Sequence, residues 1–273
     1  MRLDLSKRHV MTILNITPDS FFEGSRTSET EAIEERVRRA VDEGATIIDV
    51  GAYSSRPGAD DVSVEEEWRR VDLGVGVVRR VAPEVTVSVD TFRGEVARRA
   101  LAKYGYLVIN DISAGEIDPL IIGVVAEYGV PYIAMHMRGV PQSMQSMTQY
   151  RDIVAEVVEY LRAKVEQLRE AGVEEIILDA GFGFAKSLEQ NYELMKGLHR
   201  VVELGCPVLS GVSRKSMIYK LLGTTPQDAL AGTIALGWES LRQGATILRV
   251  HDTREAVETL KIYEAYDKGD RYI

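Results

Sequence analysis

The sequence has 273 residues, of which 45% are hydrophobic and 27% charged, and its formal net charge is −9. No run approaches the roughly 20 apolar residues of a membrane span, and the N-terminus lacks the apolar core of a signal peptide. The acidic balance and only four histidines argue against nucleic-acid binding. The single cysteine, Cys206, excludes an internal disulfide, and no Cys/His cluster suggests zinc. We therefore expect a globular protein of the reducing cytoplasm.

Eight short apolar runs predict eight β-strands along the chain. Each run is too short for a typical helix and is followed by turn residues and then by a segment with helical periodicity. The runs are residues 10–14, 46–50, 85–89, 106–109, 131–135, 176–178, the first residues of 207–217, and 246–248.

Capping residues and breakers predict the bounds of the helices between these strands. Residues 28–43 predict the first helix. A later helix is expected over 118–129 with Pro119 at its first position, because proline suits that position. A further helix is expected over 187–205, and another over 226–243.

The alternation of eight strands with eight helices predicts the α/β class and a single (β/α)8 TIM barrel. A chain of this length could hold about two domains, but no linker or change of composition divides it. We therefore expect one domain over residues 1–273. A doubly wound open sheet is the alternative; it usually has fewer strands, and no G-x-G-x-x-G follows the first strand.

The predicted strands all end at side chains that can donate, accept or carry charge. In a (β/α)8 barrel these ends meet at one mouth, where catalytic groups lie. Each residue alone is more often a cap or turn residue, and Asp49 is as readily structural as functional. Eight together indicate an active site. They are Asn15, Asp49, Asp90, Asn110, His136, Asp179, Lys215, and Arg249 with His251.

Three of these strand ends predict a site for a flat, neutral heterocycle. Asp90, Asn110 and Asp179 offer acceptors from strands three, four and six. A carboxylate can take two parallel hydrogen bonds from an amidine-like N–H/NH2 edge, which gives both affinity and orientation.

The ends of strands one and eight predict a phosphate site. Asn15, Arg249 and His251 become neighbours once the barrel closes, with Asn15 as an oxygen ligand for Mg²⁺ that bridges phosphate oxygens. Lys215 lies in a Ser-Arg-Lys-Ser motif between the two sites. Taken alone, that motif is more often a solvated basic turn. A Schiff-base lysine activated by Arg214 is a further alternative, although no base is evident to serve it.

Eight motifs at these strand ends occur in order along the chain: L-N-I-T-P-D-S-F (14–21), S-R-P-G (55–58), S-V-D-T (88–91), N-D-I (110–112), M-H-M (135–137), D-A-G-F-G-F (179–184), S-R-K-S (213–216) and R-V-H-D (249–252). Together they resemble the motif set of the dihydropteroate synthase family. The resemblance runs from about residue 10 to the last helix. One motif would be weak evidence, whereas the series is highly specific.

The resemblance implies an enzyme that joins 4-aminobenzoate to 6-hydroxymethyl-7,8-dihydropterin diphosphate and releases pyrophosphate in folate synthesis. It implies Mg²⁺ at Asn15, a homodimer, and catalysis by Lys215, Arg249 and His251, through a displacement with SN1 character. The pterin diphosphate would contact Ser55, Asp90, Asn110, Asp179, Lys215, Arg249 and His251. The 4-aminobenzoate would contact Phe21, Ser55, Arg56, Pro57, Phe184, Lys215 and Ser216.

Three positions depart from the family pattern. Tyr53 stands where the family usually has glutamate, Glu23 where aspartate is common, and Ala180 where proline is usual. None removes a contact group from the predicted site, so we expect them to affect loop closure and the affinity for arylamines or sulfonamides.

Two other functions fit parts of the pattern. A barrel that passes a methyl group from a methylated folate to a corrinoid would share the Asn and Asp ring, but would not need S-R-P-G or S-R-K-S. A non-catalytic pterin-binding subunit would be expected to lose Asn15, Arg249 or His251, and all three are present.

Overall fold

The computed structural model of the chain describes residues 2–16, 26–53, 62–140 and 144–269. Its eight parallel strands close into a barrel in which each strand pairs with the next and the last pairs with the first. The predicted TIM barrel is confirmed. The strands are β1 (His9–Asn15), β2 (Ile47–Gly51), β3 (Thr86–Asp90), β4 (Val108–Asp111), β5 (Tyr132–Met135), β6 (Ile176–Asp179), β7 (Val208–Ser210) and β8 (Ile247–Val250).

The described residues form ten α-helices rather than the eight predicted. None of them is long and apolar enough to cross a bilayer. The helices are α1 (Arg26–Asp42), α2 (Val64–Val81), α3 (Gly94–Tyr104), α4 (Leu120–Tyr128), α5 (Ile153–Glu170), α6 (Leu188–Lys196), α7 (His199–Val202), α8 (Ser216–Leu222), α9 (Leu230–Arg242) and α10 (Thr253–Gly269).

Several predicted helix bounds differ from the structure. The helix expected over 187–205 divides at Gly197, where a Cβ would lie 2.7 Å from the γ carbons of Val154, so α5 packs directly against the backbone there. Helix α9 begins at Leu230 and not at residue 226, and Pro119 is the N-cap of α4 rather than its first residue. Local capping signals place a helix end only to within a few residues.

An apolar layer closes the N-terminal half of the barrel interior. It consists of Met11, Ile47, Val108, Ile133, Ile177, Leu209 and Ile247, with Leu3 packed on it. Because side chains alternate between the two faces of a strand, the residue two positions further along points the same way. Four of these next positions are polar, namely Asp49, Asn110, Asp179 and Arg249. The barrel therefore has an apolar floor and a polar mouth.

Cys206 is buried. Burial raises the pKa of its thiol, which makes the reactive thiolate scarcer. The structure thus gives this residue a packing role outside the barrel mouth.

Candidate active site

Arg249 joins four strands at the centre of the barrel mouth. From β8, its Nε donates to Asp49 Oδ2 at 2.7 Å and its Nη2 donates to Asp90 Oδ2 at 2.6 Å. Asn110 Nδ2 donates to the same Asp49 oxygen at 3.1 Å. The sequence placed Arg249 and Asp90 in separate sites, whereas the structure bonds them directly.

Burial and charge act against each other in this network. Asp49 is fully buried, and its Oδ1 finds no hydrogen-bond partner among the described residues. Burial raises the pKa of Asp90, and the Arg249 guanidinium opposes that rise. Burial lowers the pKa of Arg249, but Asp49 and Asp90 outweigh this effect and hold it above its ordinary value. Arg249 is therefore a permanent cation.

Lys215 projects into the mouth from the segment between β7 and α8. Its Nζ donates to the carbonyl of Phe182 and lies 4.6 Å from the ring centroid of Phe184. Burial lowers the pKa of Lys215 to about 8, although Asp179 favours the charged form. An ammonium beside an aromatic ring and a carboxylate can orient a neutral reactant.

Asp179 lies on the β6 side of Lys215. Its Oδ1 accepts from the backbone N–H of Gly181 at 2.7 Å. Burial raises the pKa of Asp179, and Lys215 acts in the opposite direction. A Cβ at Gly211 would lie 4.0 Å from both Asp179 Oδ2 and Arg249 Cβ, so the absence of a side chain there keeps the space between these residues open.

His251 follows β8 and is held by Ser213. The backbone N–H of His251 donates to Ser213 Oγ at 3.1 Å, and this Oγ lies 3.0 Å from His251 Nδ1. The Oγ accepts the backbone bond, and its contact with Nδ1 couples the serine hydroxyl to the tautomer of the ring. Burial lowers the pKa of His251 to about 4, and Arg249 adds to this effect. The His251 ring is therefore neutral at pH 7.

Arg214 does not extend into the mouth. Its Nε and Nη2 donate to the two oxygens of Asp252 at 2.9 and 2.7 Å, and its Nη1 donates to the carbonyls of Pro226 and Gln227 at 2.8 and 2.6 Å. Arg214 therefore ties the loop after β7 to the loop after β8. Of the two adjacent cations, Lys215 is the one at the site.

The arrangement of these residues agrees with the comparisons with known proteins. Residues 11–251 match the family model described as pterin binding enzyme. The chain belongs to this family. It is 44% identical to dihydropteroate synthase from Escherichia coli K12 over 96% of this chain and 93% of the relative, and 41% identical to that of Synechocystis over 96% and 91%.

Solved structures of the pterin-binding family superpose closely on the chain. Dihydropteroate synthase from Xanthomonas albilineans with 4-aminobenzoic acid is 39% identical, with a TM-score of 0.88 over 97% of this chain and 95% of that one. The same enzyme in complex with 7,8-dihydropteroate is 37% identical, with a TM-score of 0.84 over 97% and 95%. The Yersinia pestis enzyme in a sulfonamide drug complex is 37% identical, with a TM-score of 0.89 over 98% and 96%.

Asn15 ends β1 next to the Arg249 network. A Cβ at Gly51 would lie 3.1 Å from Asn15 Oδ1 and 3.7 Å from Asp90 Oδ2, so the bare backbone of β2 separates these two oxygens. In the described part of the chain, no group of three or more His, Cys, Asp or Glu residues could hold a metal ion.

Several predicted residues lie outside the described residues: Phe21, Glu23, Ser55, Arg56 and Pro57. Of the predicted 4-aminobenzoate contacts, the structure brings Phe184 next to Lys215 and places Ser216 at the first position of α8. Tyr53, the family departure in the second loop, packs edge-on against Phe92 at 5.0 Å with Arg93 over its ring at 5.4 Å. Ala180 is fully buried.

His136 takes no part in the Arg249 network. It is buried, its Nδ1 lies 3.0 Å from Lys186 Nζ, and its ring meets Tyr160 edge-on at 4.9 Å. Burial lowers the pKa of His136 to about 2, with Lys186 adding to the effect. Sequence reasoning missed Lys186. The signal was a lysine that ends an otherwise uncharged glycine-rich stretch, 180–186.

Proposed function

We propose that this chain is a dihydropteroate synthase, which joins 4-aminobenzoate to the methylene carbon of 6-hydroxymethyl-7,8-dihydropterin diphosphate and releases pyrophosphate. The observation that carries the proposal is one barrel mouth that combines the acceptors Asp90, Asn110 and Asp179 with the cations Lys215 and Arg249. Its support is the family membership and the near full-length similarity to synthases from several bacteria.

The pterin ring would lie among Asp90, Asn110 and Asp179. Asp179 has its Oδ1 bonded to the Gly181 N–H, and a pterin N–H/NH2 edge supplies the donors that a buried carboxylate needs to stay ionised. Lys215, on the other side, supplies an ammonium donor for the acceptor atoms of the ring.

The diphosphate would lie between Arg249 and His251. Arg249 is charged at every physiological pH, and planar guanidinium donors match phosphate oxygens. In the proposed complex Ser213 donates to Nδ1 of the neutral His251 ring, which leaves the Nε2–H as a donor to the diphosphate. An arriving anion would raise the pKa of His251 and add to the stabilisation.

Mg²⁺ fits the residues at the end of β1. Magnesium keeps several waters and takes few protein ligands besides substrate phosphates, so one amide oxygen of Asn15 is enough for a site shared with a diphosphate. When bound, the ion would neutralise charge on the diphosphate oxygens. Asn15 is the residue that would hold it.

The 4-aminobenzoate would lie over Lys215, with Phe184 and Ser216 at its sides. We place Phe21, Ser55, Arg56 and Pro57 in the same pocket because they match the family motifs. Ser55 would also reach the pterin diphosphate.

In the proposed reaction the bond between the methylene carbon and the bridging oxygen breaks first, and the electron pair leaves on pyrophosphate. Arg249 and His251 stabilise the charge that develops on this leaving group. The pterin ring delocalises the cation, the amine lone pair forms the new C–N bond, and the amine proton passes to solvent. No protein nucleophile is required, which agrees with a mouth built from positioned charges.

The test is pyrophosphate release by the purified chain. We expect release that depends on both the dihydropterin diphosphate and 4-aminobenzoate and that stops when either is omitted. No release at any Mg²⁺ concentration would overturn the proposal. Methyl transfer from a methylated folate to a corrinoid, without pyrophosphate release, would favour the related methyltransferase function. The homodimer and the cytoplasmic location stay predictions.

A further inference from the structure

The loop between β6 and α6 has a backbone that requires support. Gly181, Gly183 and Ala185 all have left-handed φ angles, +70°, +82° and +50°. Such a conformation is strained for alanine and persists only where the surroundings hold it. The loop also approaches β5 closely, because a Cβ at Gly181 would lie 2.0 Å from the carbonyl oxygen of His136.

Lys186 holds this loop from inside the protein. Its side chain is 5% exposed, and its Nζ lies 2.8 Å from the carbonyl oxygen of Gly181, 2.9 Å from that of Phe184 and 3.0 Å from His136 Nδ1. An ammonium has three N–H donors, so these three acceptors satisfy it completely. All three acceptors are neutral groups, so no carboxylate offsets the cost of burying this cation through a direct hydrogen bond.

The same loop meets Lys215 on its opposite face. The carbonyls of Gly181 and Phe184 point to Lys186, whereas the Phe182 carbonyl between them accepts from Lys215 Nζ. The Phe184 ring also lies 4.6 Å from Lys215 Nζ. The two lysines therefore donate to different carbonyls of the same short backbone segment.

We propose that Lys186 is a positioning residue of the active site, which sets the loop 180–185 so that the Phe182 carbonyl and the Phe184 ring orient Lys215. The proposal rests on the proposed function, because that function gives Lys215 its role in the active site. The position of the loop, however, can be measured without turnover. Asn191 also supports the loop, since its Oδ1 accepts from the Gly183 N–H at 2.6 Å.

The charges around Lys186 give the role a distinct signature. Asp179 on β6 faces Lys186, as do Arg138 and His136 after β5 and Lys215 after β7. Burial lowers the pKa of Lys186 to about 7, and Asp179 opposes this. Lys186 in turn helps to keep the pKa of Asp179 from rising further. Loss of the Lys186 charge should therefore shift the titration of Asp179, which a purely structural defect would not do.

The first test compares Lys186→Met with Lys164→Met in the full chain. Lys164 is a second buried lysine, 7% exposed, whose Nζ contacts Gln167 and Glu116 instead of the loop. We expect Lys186→Met to lower kcat/KM on the order of 100-fold, since small misplacements of catalytic groups have effects of this size. The acidic limb of its pH profile should move to higher pH. Lys186→Arg, which keeps the charge, should recover part of the activity and the original acidic limb.

Two results would overturn the proposal. One is a Lys186→Met variant with the wild-type kcat/KM and pH profile. The other is an equal, pH-independent loss of activity in the Lys186→Met and Lys164→Met variants. Should wild type release no pyrophosphate, the proposed function fails, and calorimetric binding of pteroic acid to the same variants replaces turnover. An unchanged affinity in Lys186→Met would then overturn the positioning role.

Hydrogen exchange of the wild-type loop tests the role even if Lys186→Met does not fold. As pH rises through about 7, Lys186 loses a proton and keeps two N–H donors for three acceptors. Protection of the Gly183 and Phe184 amides should fall in this range after correction for intrinsic rates. The Gln190 amide, bonded to Ser187 Oγ in the cap of α6, is the control. Exchange of the Gly183 and Phe184 amides at intrinsic rates at pH 6, where the Lys186 ammonium should hold the loop, would overturn the proposal.

Discussion

Arg249 Nη2 is bonded to Asp90 Oδ2 at 2.6 Å across the barrel mouth, from β8 to β3. The family motifs assign Asp90 to the pterin ring and Arg249 to the diphosphate. Arg249 also donates to Asp49, so it links Asp49 to Asp90. The pterin half and the diphosphate half of the predicted site therefore share one electrostatic network. A change of charge in one half should therefore alter the electrostatics of the other half.

The first prediction concerns the stability of this network. Arg249→Met leaves the buried Asp49 without its cation, and such a break typically costs on the order of 3 kcal/mol. Urea unfolding measures the free energy. Arg242→Met is the matched control, because Arg242 pairs with Glu239 on an exposed helix face, where solvent screens the pair, and should change stability far less. Equal effects of the two substitutions would contradict the network.

Replacement of Asp49 provides a second check on the same network. The double variant Arg249→Met/Asp49→Asn removes the uncompensated charge and should recover part of the lost stability. Simple additivity of the two single substitutions would show that the residues do not interact.

The second prediction is that Lys215→Met strongly lowers turnover and leaves the fold intact. Lys215 lies between the proposed positions of both reactants, and its loss should lower kcat/KM by roughly 100-fold or more. Steady-state pyrophosphate release measures the activity, and circular dichroism checks the fold. A folded variant with substantial activity would show that the site lies elsewhere.

The third prediction is that the protonation of Lys215 affects activity and stability in opposite directions: as pH rises above about 8, activity falls and the free energy of unfolding increases. Burial lowers the pKa of Lys215 to about 8, so the ammonium and the activity should decline as pH rises through about 8. In the unfolded chain the pKa is about 10.4, so between these values the unfolded state binds more protons than the native state. The Lys215 contribution to the free energy of unfolding therefore increases with pH in this window.

This linkage is measured by comparison with Lys215→Met, which lacks the titrating group. The stability of wild type relative to the variant should increase from about pH 8 to about pH 10.4. A difference that stays constant across this range would contradict a lowered pKa.

The fourth prediction concerns the tautomer of His251. Ser213→Ala removes the hydroxyl that we propose donates to Nδ1, so the ring proton should no longer be confined to Nε2. We expect about a 10-fold loss of kcat, the size that one weakened hydrogen bond to the leaving group would have, and altered 15N imidazole shifts for His251. His9, the first residue of β1, lies at the N-terminal end of the barrel strands, away from His251, and serves as the internal reference. Unchanged shifts at His251 would show that Ser213 does not set the tautomer.

The fifth prediction uses two glycines with similar backbone angles. Gly129 has φ +58° at the end of α4, and no atom lies within 4 Å of the position that a Cβ would take there, so Gly129→Ala costs only the left-handed conformation, about 1–2 kcal/mol. Gly181, at φ +70°, would place its Cβ against the His136 carbonyl, which adds roughly 1–3 kcal/mol. Thermal unfolding compares the two variants. Equal losses would contradict the close approach of the loop to β5.

The barrel and most of the residues at its mouth follow from the sequence alone. Periodicity and breakers identify eight strands, and the strand ends then identify Asp90, Asn110, Asp179, Lys215 and Arg249 without any coordinates. The prediction succeeds because the C-terminal ends of all strands in a parallel barrel lie at the same face. Residues that end successive strands are therefore close together in space.

Local signals could not give the number of helices or the role of His136. Helix α6 stops at Gly197 because α5 packs against it, and this contact joins residues distant in sequence. His136 follows β5 as expected, yet its ring is bonded to Lys186. The direction of a side chain beyond a strand end depends on the elements that pack around it, and spacing along the chain does not encode those.

The pairing of the buried charges is set only in the folded barrel. Sequence reasoning assigned Arg249 to phosphate and considered Arg214 as a second cation beside Lys215, whereas the fold bonds Arg249 to Asp49 and Asp90 and fastens Arg214 to Asp252. A buried charge takes the partners that closure of the barrel brings within about 3 Å, and a linear sequence contains the charges but not these distances.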